Sequence, residues 1–347
     1  MVGLLNRLRL VARALAGRLN PVAYRTLTRP CPSGAQIPGY ILENVTIQHL
    51  GNGILSKKET TMPEIANVNG KICPIDEAVV PAEDRGYLFG DGVYEVLRCY
   101  NGRMWAFERH RQRFERSLKE IAVQNLDLDQ LCHWVAETYE RSRIPEATIY
   151  FHVTRGVAPR SHAWSEDIIP TFFMTVRPFV VRGEGNERGI KVISVLDQRW
   201  GRCDIKSLNL LPNVLAKQKA RSQGAYEAIL VDEKGGVREG TSSAVVCILQ
   251  GTLCAPPNCS TLLPSITRQF VFEIADELKI PIQQRAFSLK DLYAADEAFI
   301  AGSGDEIMGI THADEKPIGT GKVGELTKKI YRQYRKRISK SQDQPMS

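Results

Sequence analysis

Beyond an arginine-rich beginning, the chain alternates strand-like and helix-like segments, and this alternation most limits the folds that it can adopt. The stretch NVNGKICPIDEAVV predicts two short strands around a turn, and VYEVLRCYNGRMWAF predicts a hairpin centred on its Asn-Gly pair, a favoured turn sequence. A helix is predicted from about residue 108, where Phe114, Leu118 and Ile121 recur at helical spacing. With the strands ATIYFHVTRG and TFFMTVRPF, these segments predict a small α+β N-terminal domain over residues 62–181.

A second set of alternating elements follows without repeating the first. GIKVISV, YEAILVD, SAVVCIL and EAFIAG are strand-like, whereas NVLAKQKARSQG and ITRQFVFEIADELK are helix-like. In the latter segment, apolar side chains follow one helical face: Ile266, Phe270, Ile274 and Leu278. These segments predict a larger C-terminal domain over residues 182–338, followed by a tail over residues 339–347. The expected fold class is therefore α+β, or mixed, with two domains and a cleft between them.

Composition excludes several other classes of protein. Of the 347 residues, 43% are hydrophobic and 24% are charged, which is ordinary for a globular chain of two domains. No uninterrupted run of about 18 apolar residues occurs, so no membrane-spanning helix is expected. Residues 1–61 carry eight basic and two acidic side chains, or +6 of the net charge of +7. The rest of the chain therefore lacks the basic excess expected of a nucleic-acid-binding protein.

The N-terminal segment has two interpretations. Residues 1–42 contain six arginines and no acid precedes Glu43, which is the composition of an organellar transit peptide. Alternatively, the codons for Lys58-Glu59 can encode a ribosome-binding sequence shortly before Met62, so that translation would start at Met62. We favour the second interpretation. Under either one, residues 1–61 are expected to be a disordered basic extension outside the fold.

The eight cysteines form no C-x-x-C pair and no Cys/His cluster with zinc spacing. In a chain of this length they are expected to be reduced, mostly buried thiols of a cytosolic protein. Neither a disulfide framework nor a metal site is predicted. The expected location is cytoplasmic, or an organelle if the N-terminal segment is a genuine transit peptide.

Three segments offer candidate chemical groups, each with an ordinary alternative. Lys206 ends the apolar run in CDIKSLNLL just after an acid, where a solvated surface charge is the common outcome. Glu239 precedes the small polar run GTSS, and its carboxylate either caps backbone amides or is an ordinary turn acid. Ser265 and Thr267 open an amphipathic helix, whose free N–H groups and positive dipole end suit phosphate. Ser265 can equally be no more than the helix cap.

Two further segments contain arginine and glycine. RGVAPRSH places Arg155, Arg160 and His162 in one loop, which either binds an organic acid through bidentate contacts or is a solvated basic loop. EDRGYLFGDGVYE carries three glycines ahead of Tyr94, but it matches neither a Walker A loop nor a dinucleotide-binding fingerprint. Each segment alone leaves both interpretations open.

In their order along the chain, these segments resemble the motifs of one family. EDRGYLFGDGVYE, TRGVAPRSH, RCDIKSLNLL, EAILVDEKGGVREGTSS, LLPSITR and GKVGELTKKI are similar to the motifs of the class IV aminotransferases, and within that family to those of the D-amino-acid aminotransferases. The resemblance covers Glu64 to Arg337. It implies a two-domain enzyme of fold type IV that binds pyridoxal 5'-phosphate (PLP).

The resemblance also assigns roles to individual residues. Lys206 would form the Schiff base with PLP and move the proton between the substrate Cα and the cofactor. Glu239 would pair with the protonated pyridine nitrogen and so keep the ring able to accept electrons. Further residues implied to bind the cofactor, mostly at its phosphate, are Arg113, Leu263, Ile266, Thr267, Ser303 and Gly304. The last two belong to AGSGDEI, which carries fewer hydroxyl groups than the family's version of this segment.

The substrate is implied in the same way. Tyr94, Arg160 and His162 correspond to the family's binding site for the substrate α-carboxylate, with the Arg160 loop supplied by the neighbouring subunit of a homodimer. The expected reaction transfers the amino group of D-alanine to 2-oxoglutarate, giving pyruvate and D-glutamate. The expected partners are D-amino acids, 2-oxo acids and a second copy of the chain, with no nucleic acid and no membrane.

Four alternatives to this function stay open. A branched-chain L-amino-acid aminotransferase, an (R)-selective amine transaminase and 4-amino-4-deoxychorismate lyase share the fold, and RGVAPRSH argues against all three because each is expected to carry other residues in that loop. The fourth is a non-enzymatic relative that keeps the fold as a binding module. The joint presence of Lys206, Glu239 and Arg113 disfavours it, because each costs stability when buried.

Overall fold

An antiparallel sheet occupies the first half of the described chain. The computed structural model describes residues 64–179 and 188–342, so the predicted extension and the predicted domain boundary at residue 181 lie outside the described residues. Within the first range, six strands pair antiparallel in the order β2-β1-β6-β5-β3-β4. The strands are β1 (Ile65–Val68), β2 (Lys71–Pro74), β3 (Gly92–Tyr100), β4 (Arg103–Met104), β5 (Ala147–Thr154) and β6 (Thr171–Pro178).

Two long helices cover one face of this sheet, α2 (Phe107–Glu120) and α3 (Leu128–Ser142). A 3-10 turn at Ile75–Glu77 and the short helix α1 (Arg85–Phe89) precede β3. The predicted hairpin is confirmed between β3 and β4, where both turn residues have positive φ, 48° at Asn101 and 83° at Gly102. The predicted helix is confirmed as α2, with Phe114 and Leu118 buried.

The side chains of β3 point alternately towards the core and towards a cavity. Val93 and Leu97 are fully buried and pack beneath α2 and α3. In the same core, the ring of Phe114 on α2 lies 5.0 Å from that of Phe151 on β5. Tyr94 and Val96, which alternate with the buried residues, instead face the cavity described below.

A larger mixed sheet occupies residues 188–342 of the described chain. Its main path runs β12-β11-β10-β13-β14-β7-β8-β9, and β15 pairs with β14. The strands are β7 (Ile190–Leu196), β8 (Glu227–Val231), β9 (Val237–Gly240), β10 (Ala244–Leu249), β11 (Thr252–Ala255), β12 (Ile282–Gln284), β13 (Glu297–Gly302), β14 (Glu306–Ala313) and β15 (Lys316–Pro317). β7 pairs parallel with both β8 and β14, and the remaining pairs except β11 with β12 are antiparallel.

Helices pack on this sheet through the apolar positions expected from the sequence. They are α4 (Leu211–Ser222), α5 (Ile266–Glu277), α6 (Leu289–Tyr293) and α7 (Glu325–Gln342). Ile266, Phe270 and Ile274 of α5 are buried in one cluster with Ile330 and Tyr334 of α7. The predicted apolar face of this helix is therefore confirmed.

The two sheets meet along β3. The backbone N–H of Tyr94 donates to the carbonyl of Lys206 at 2.9 Å, and Tyr100 Oη donates to Glu306 Oε1 at 2.8 Å. The predicted mixed α+β fold class is confirmed, whereas the exact division into domains stays a prediction. Across the described residues, none of the helices combines the length and apolar character needed to cross a bilayer.

Candidate active site

A cavity of about 210 Å³ lies where β3 faces the second sheet. Eight of the eleven residues that the resemblance assigns to the cofactor or substrate line it: Tyr94, Arg113, Lys206, Glu239, Leu263, Ile266, Ser303 and Gly304. Trp200, which is 46% exposed, also lies in its wall. The structure therefore brings together side chains that are as far apart in sequence as β3 and the segment after β13.

Lys206 is held in the cavity by backbone pairing rather than by the acid that precedes it nearby in sequence. Its carbonyl accepts from Tyr94, and Leu208 N–H donates to the Gly92 carbonyl at 3.0 Å, so the lysine segment runs beside the start of β3. Lys206 Nζ lies 4.2 Å from the centroid of the Tyr94 ring. Asp204 points elsewhere and pairs with the guanidinium groups of Arg116 and Arg202. The amine thus faces an aromatic wall of the cavity.

Glu239 is a buried carboxylate at the end of β9. It accepts from the backbone N–H of Leu263, at 3.3 Å and 3.2 Å for its two oxygens, and from the guanidinium of Arg199. Burial raises the pKa of Glu239 above that of an ordinary glutamate, although Arg199 and the Leu263 amide oppose the shift. A further cationic donor in the cavity would therefore stabilise its charged form.

Arg199 was not predicted from the sequence. Its Nη2 donates to Asp197 Oδ2 at 2.8 Å and its Nε donates to Asp197 Oδ1 at 2.9 Å, which aims the remaining nitrogen at Glu239. The pair with Glu239 spans 40 positions of the chain, so no local pattern marks it.

Arg113 is fixed by a carboxylate that is fully buried inside the first sheet. Its Nε and Nη2 donate to the two oxygens of Glu95 at 2.7 and 2.8 Å, and its Nη1 donates to the Pro264 carbonyl at 3.0 Å. His110 Nδ1 lies 2.7 Å from the same carboxylate. Burial alone would raise the pKa of Glu95, but Arg113 and His110 outweigh burial and hold it well below its usual range. Glu95 was not predicted from the sequence. An acid at a core-facing position of β3 is the sequence signal that could have indicated this cluster.

The N-terminus of α5 lies beside the Arg113 guanidinium. Ser265 caps the helix, since its side chain accepts from Arg268 N–H at 3.2 Å, so the capping interpretation of Ser265 is confirmed. Ile266 in the first turn lines the cavity, whereas Thr267 is buried and is not among the lining residues. A helix N-terminus next to a guanidinium is an arrangement that binds phosphate.

The loop with Arg160 and His162 lies outside the chain's own cavity. Neither residue lines that cavity, and both are exposed. His162 lines a neighbouring cavity that shares part of its wall, including Trp200, with the first. The His162 ring packs edge-on against Phe89 at 5.5 Å, and the Arg160 guanidinium lies 5.2 Å from the centroid of the same ring. Within one chain, the structure brings Tyr94 to Lys206 but does not bring Arg160 or His162 there.

Comparison with known proteins identifies the family of this fold and cavity. The family model for amino-transferase class IV matches residues 92–313. The D-alanine aminotransferase of Bacillus licheniformis is 37% identical over 263 residues, covering 76% of this chain and 93% of that protein. That of Staphylococcus epidermidis is 36% identical over 274 residues, covering 78% and 96%. The chain belongs to the class IV aminotransferase family, and the resemblance inferred from the motifs is confirmed.

Solved structures give the same fold. The branched-chain amino acid aminotransferase of Escherichia coli superposes with a TM-score of 0.73 at 24% identity, covering 79% of this chain and 94% of that one. That of Thermobaculum terrenum, solved in its PLP form, gives a TM-score of 0.72 at 26% identity, covering 80% and 94%. The fold-type IV architecture predicted from the motifs is therefore shown.

The cavity has the groups that PLP requires. Lys206 presents an amine, Arg113 and the start of α5 present an anion site, and Glu239 presents a buried carboxylate that lacks full compensation for its burial. These can hold an aldehyde, a phosphate and a protonated ring nitrogen respectively. The residues present therefore fit the cofactor on which the family's chemistry depends.

Proposed function

We propose that this protein is a PLP-dependent aminotransferase that acts on D-amino acids and converts D-alanine and 2-oxoglutarate into pyruvate and D-glutamate. The observation that carries the proposal is the convergence of Lys206, Glu239 and Arg113 on one cavity. The stereochemistry is supported by RGVAPRSH and by the names of the relatives in Bacillus licheniformis and Staphylococcus epidermidis.

Lys206 acts as covalent anchor and as proton carrier. When bound, PLP supplies an electron sink for the charge left on Cα after deprotonation. The Nζ atom of Lys206 would remove the proton from the substrate Cα and deliver it to the C4′ carbon of the cofactor, on the other side of the substrate nitrogen. Tyr94, against whose ring Nζ lies, limits the directions from which the amine approaches.

Glu239 and Arg113 fix the cofactor at its two ends. Glu239 would accept a hydrogen bond from the ring nitrogen and keep that nitrogen protonated, while Arg199 orients the carboxylate. Arg113, held by Glu95, would bind the phosphate together with the first turn of α5 at Ile266 and Thr267. Leu263, Ser303 and Gly304 line the cavity, where the first would pack on the ring and the other two would bind at the phosphate.

Substrate binding is completed by a second copy of the chain. Tyr94 supplies a hydroxyl from the same chain, and Arg160 and His162 of the second copy supply two donors for the α-carboxylate. This arrangement explains why both residues lie outside the chain's own cavity while they remain exposed. The functional unit is accordingly a homodimer.

A branched-chain L-amino-acid aminotransferase is the second candidate, favoured by the solved structures of that activity that share the fold. The two functions differ in which stereoisomer donates its amino group. Adding D-alanine, L-alanine or L-leucine separately to the purified yellow enzyme, without an acceptor, distinguishes them through the loss of the cofactor absorbance band. We expect loss with D-alanine only.

Lys206→Ala is the matched control for this experiment. It should remain folded, lose the covalently bound cofactor spectrum and show no loss of absorbance with any amino acid. Bleaching by L-leucine but not D-alanine would overturn the proposed stereochemistry. Near-normal turnover by Lys206→Ala would overturn the role of Lys206.

A further inference from the structure

A buried arginine holds the loop that carries Arg160 and His162. Arg85 lies at the start of α1 and is only 3% exposed. Its Nη1 donates to the Ser161 carbonyl at 2.5 Å, and its Nη2 donates to the His162 carbonyl at 3.1 Å. The guanidinium therefore binds the backbone of the two residues that follow Arg160.

Arg85 is itself immobilised by a buried ion cluster. Its Nε donates to Asp91 Oδ2 at 2.8 Å, and Arg155 donates to both oxygens of the same carboxylate at 2.9 and 3.0 Å. Arg155 also donates to the carbonyls of Ile121 and Ala122, just beyond α2. Since a planar guanidinium with several partners has one orientation, the loop carbonyls are tied to the rigid part of the first sheet.

A second set of contacts fixes the loop from the side of α1. The backbone N–H of Arg85 donates to the Gly156 carbonyl at 2.9 Å. Phe89, at the other end of α1, contacts the side chains of both His162 and Arg160. The loop is thus bound at its backbone while the side chains of Arg160 and His162 stay exposed.

We propose that Arg85, supported by Asp91 and Arg155, is a positioning residue that presents Arg160 and His162 to the cavity of a second copy of the chain. This inference rests on the proposed function, in which that loop completes the partner's site. Arg85 contacts neither substrate nor cofactor. It lowers the ordering cost of binding a carboxylate because the two donors are already in place.

The first test is Arg85→Lys in the full-length holoenzyme. Lysine keeps a positive charge beside Asp91 but cannot bind that carboxylate and both carbonyls at once. We expect KM for D-alanine and for 2-oxoglutarate to rise about tenfold while kcat changes less than about threefold. Arg337→Lys is the control, because Arg337 joins Glu273 and Glu277 between α5 and α7 and affects stability alone. An unchanged KM in folded Arg85→Lys would overturn the inference.

Mixing subunits tests whether Arg85 acts on the partner's site. Arg85→Lys chains are refolded together with Lys206→Ala chains, which are inactive alone. In a mixed dimer, one cavity combines an intact Lys206 with a loop held by an intact Arg85. We expect a component of activity with the KM of the unmodified enzyme to appear beside the high-KM activity of the Arg85→Lys homodimers. If Arg85 acted on its own chain's cavity, the only cavity with Lys206 would remain impaired and the high KM would persist.

A parallel mixture separates this inference from the proposed function. Arg160→Ala chains mixed with Lys206→Ala chains should also regain activity if the loop completes the partner's site. Recovery in this mixture but not in the Arg85→Lys mixture would overturn the positioning role alone. Recovery in neither would overturn both it and the shared site.

Discussion

Two buried glutamates of the site have pKa values shifted in opposite directions. Glu95 is surrounded by Arg113 and His110, which outweigh burial and lower its pKa, so it is a permanent anion that fixes Arg113. Glu239 has Arg199 and one backbone amide, and burial prevails and raises its pKa. The negative charge of Glu95 is compensated by partners within the protein, whereas Glu239 is suited to a cationic group bound in the cavity.

Replacing Glu239 by glutamine should separate cofactor binding from turnover. Glutamine keeps the shape and accepts a hydrogen bond, but it does not hold a proton on a ring nitrogen. We expect Glu239→Gln to bind PLP and to lower kcat about a hundredfold or more. Absorbance spectra and steady-state rates measure the two effects. Glu273→Gln, on the outer face of α5 with Arg109 and Arg337, should leave both unchanged.

His152 should make stability depend on pH between neutral and mildly acid conditions. Its Nδ1 lies 2.9 Å from Tyr150 Oη, its ring stacks on Phe173, and burial lowers its pKa from 6.5 to about 4. Because the imidazole of His152 binds a proton more readily in the unfolded state, its contribution to stability is present above pH 6.5 and is lost as pH falls towards 4.

Between pH 7 and pH 5 we expect His152 to lower the free energy of unfolding by about 1–2 kcal/mol. Urea unfolding at the two pH values measures this difference. His152→Gln should make the free energy of unfolding less dependent on pH over that range. An equally steep dependence in the variant would show that other groups are responsible.

At this scale the motif residues were predictable and their supporting partners were not. Lys206, Glu239 and Arg113 stand in short segments whose order identifies the family. Arg199 and Glu95 acquire their roles only when folding brings the segment after β7 to β9 and brings β3 to α2. Single-sequence patterns carry local periodicity but not such long-range pairs.

At the scale of the element, the turn after β5 requires glycine. Gly156 has φ +116°, and a Cβ there would lie 2.0 Å from the Ile169 carbonyl oxygen. That carbonyl belongs to the segment entering β6, which cannot withdraw without disturbing the sheet. Gly156 leads directly into the loop with Arg160, so its conformation determines how that loop begins.

Gly156→Ala should therefore destabilise the protein and weaken substrate binding. Gly102→Ala is the matched control, since Gly102 also has positive φ, +83°, but has nothing within 4 Å of its position for Cβ. We expect about 1 kcal/mol of destabilisation at Gly102 and clearly more at Gly156, with a raised KM only at Gly156. Thermal unfolding and initial rates provide the measurement. Equal effects of the two substitutions would contradict the steric argument.

Elements with strong local signals were predicted correctly, but the pairing of strands distant in sequence was not predicted. The hairpin at Asn101 and Gly102 and the apolar face of α5 follow from turn chemistry and helical spacing. The position of β7 between β8 and β14 depends on contacts between residues as far apart as Ile190 and Thr311, 121 positions along the chain, and leaves no local trace.

At the scale of the whole molecule, the cavity depends on two sheets at once. Tyr94 comes from the first sheet, whereas Lys206, Glu239 and Leu263 come from segments of the second half of the chain. Tyr100 and Glu306 join the sheets at the other end of β3. The division of the chain into two domains stays a prediction, and the side chains that meet in the cavity were known only through the resemblance.

Activity should depend on protein concentration if a second copy completes the substrate site. Dilution below the dimer dissociation constant should lower specific activity, and excess D-alanine should shift the transition to lower concentration because it binds the assembled form. Sedimentation velocity and initial rates over the same dilution series measure the two quantities. Full activity in a fraction that sediments as a single chain would contradict the shared site.

Trp200 gives the cavity an optical signal of its own. It is half-exposed in the cavity wall, whereas Trp105 stacks on Phe270 and Trp134 packs against Phe172. A coloured molecule that enters the cavity quenches the fluorescence of the nearest indole most efficiently by energy transfer. The fluorescence of Trp200 is therefore expected to fall first. Its fluorescence can therefore report how full the cavity is in every variant, including those that have lost the reactive amine and no longer turn over.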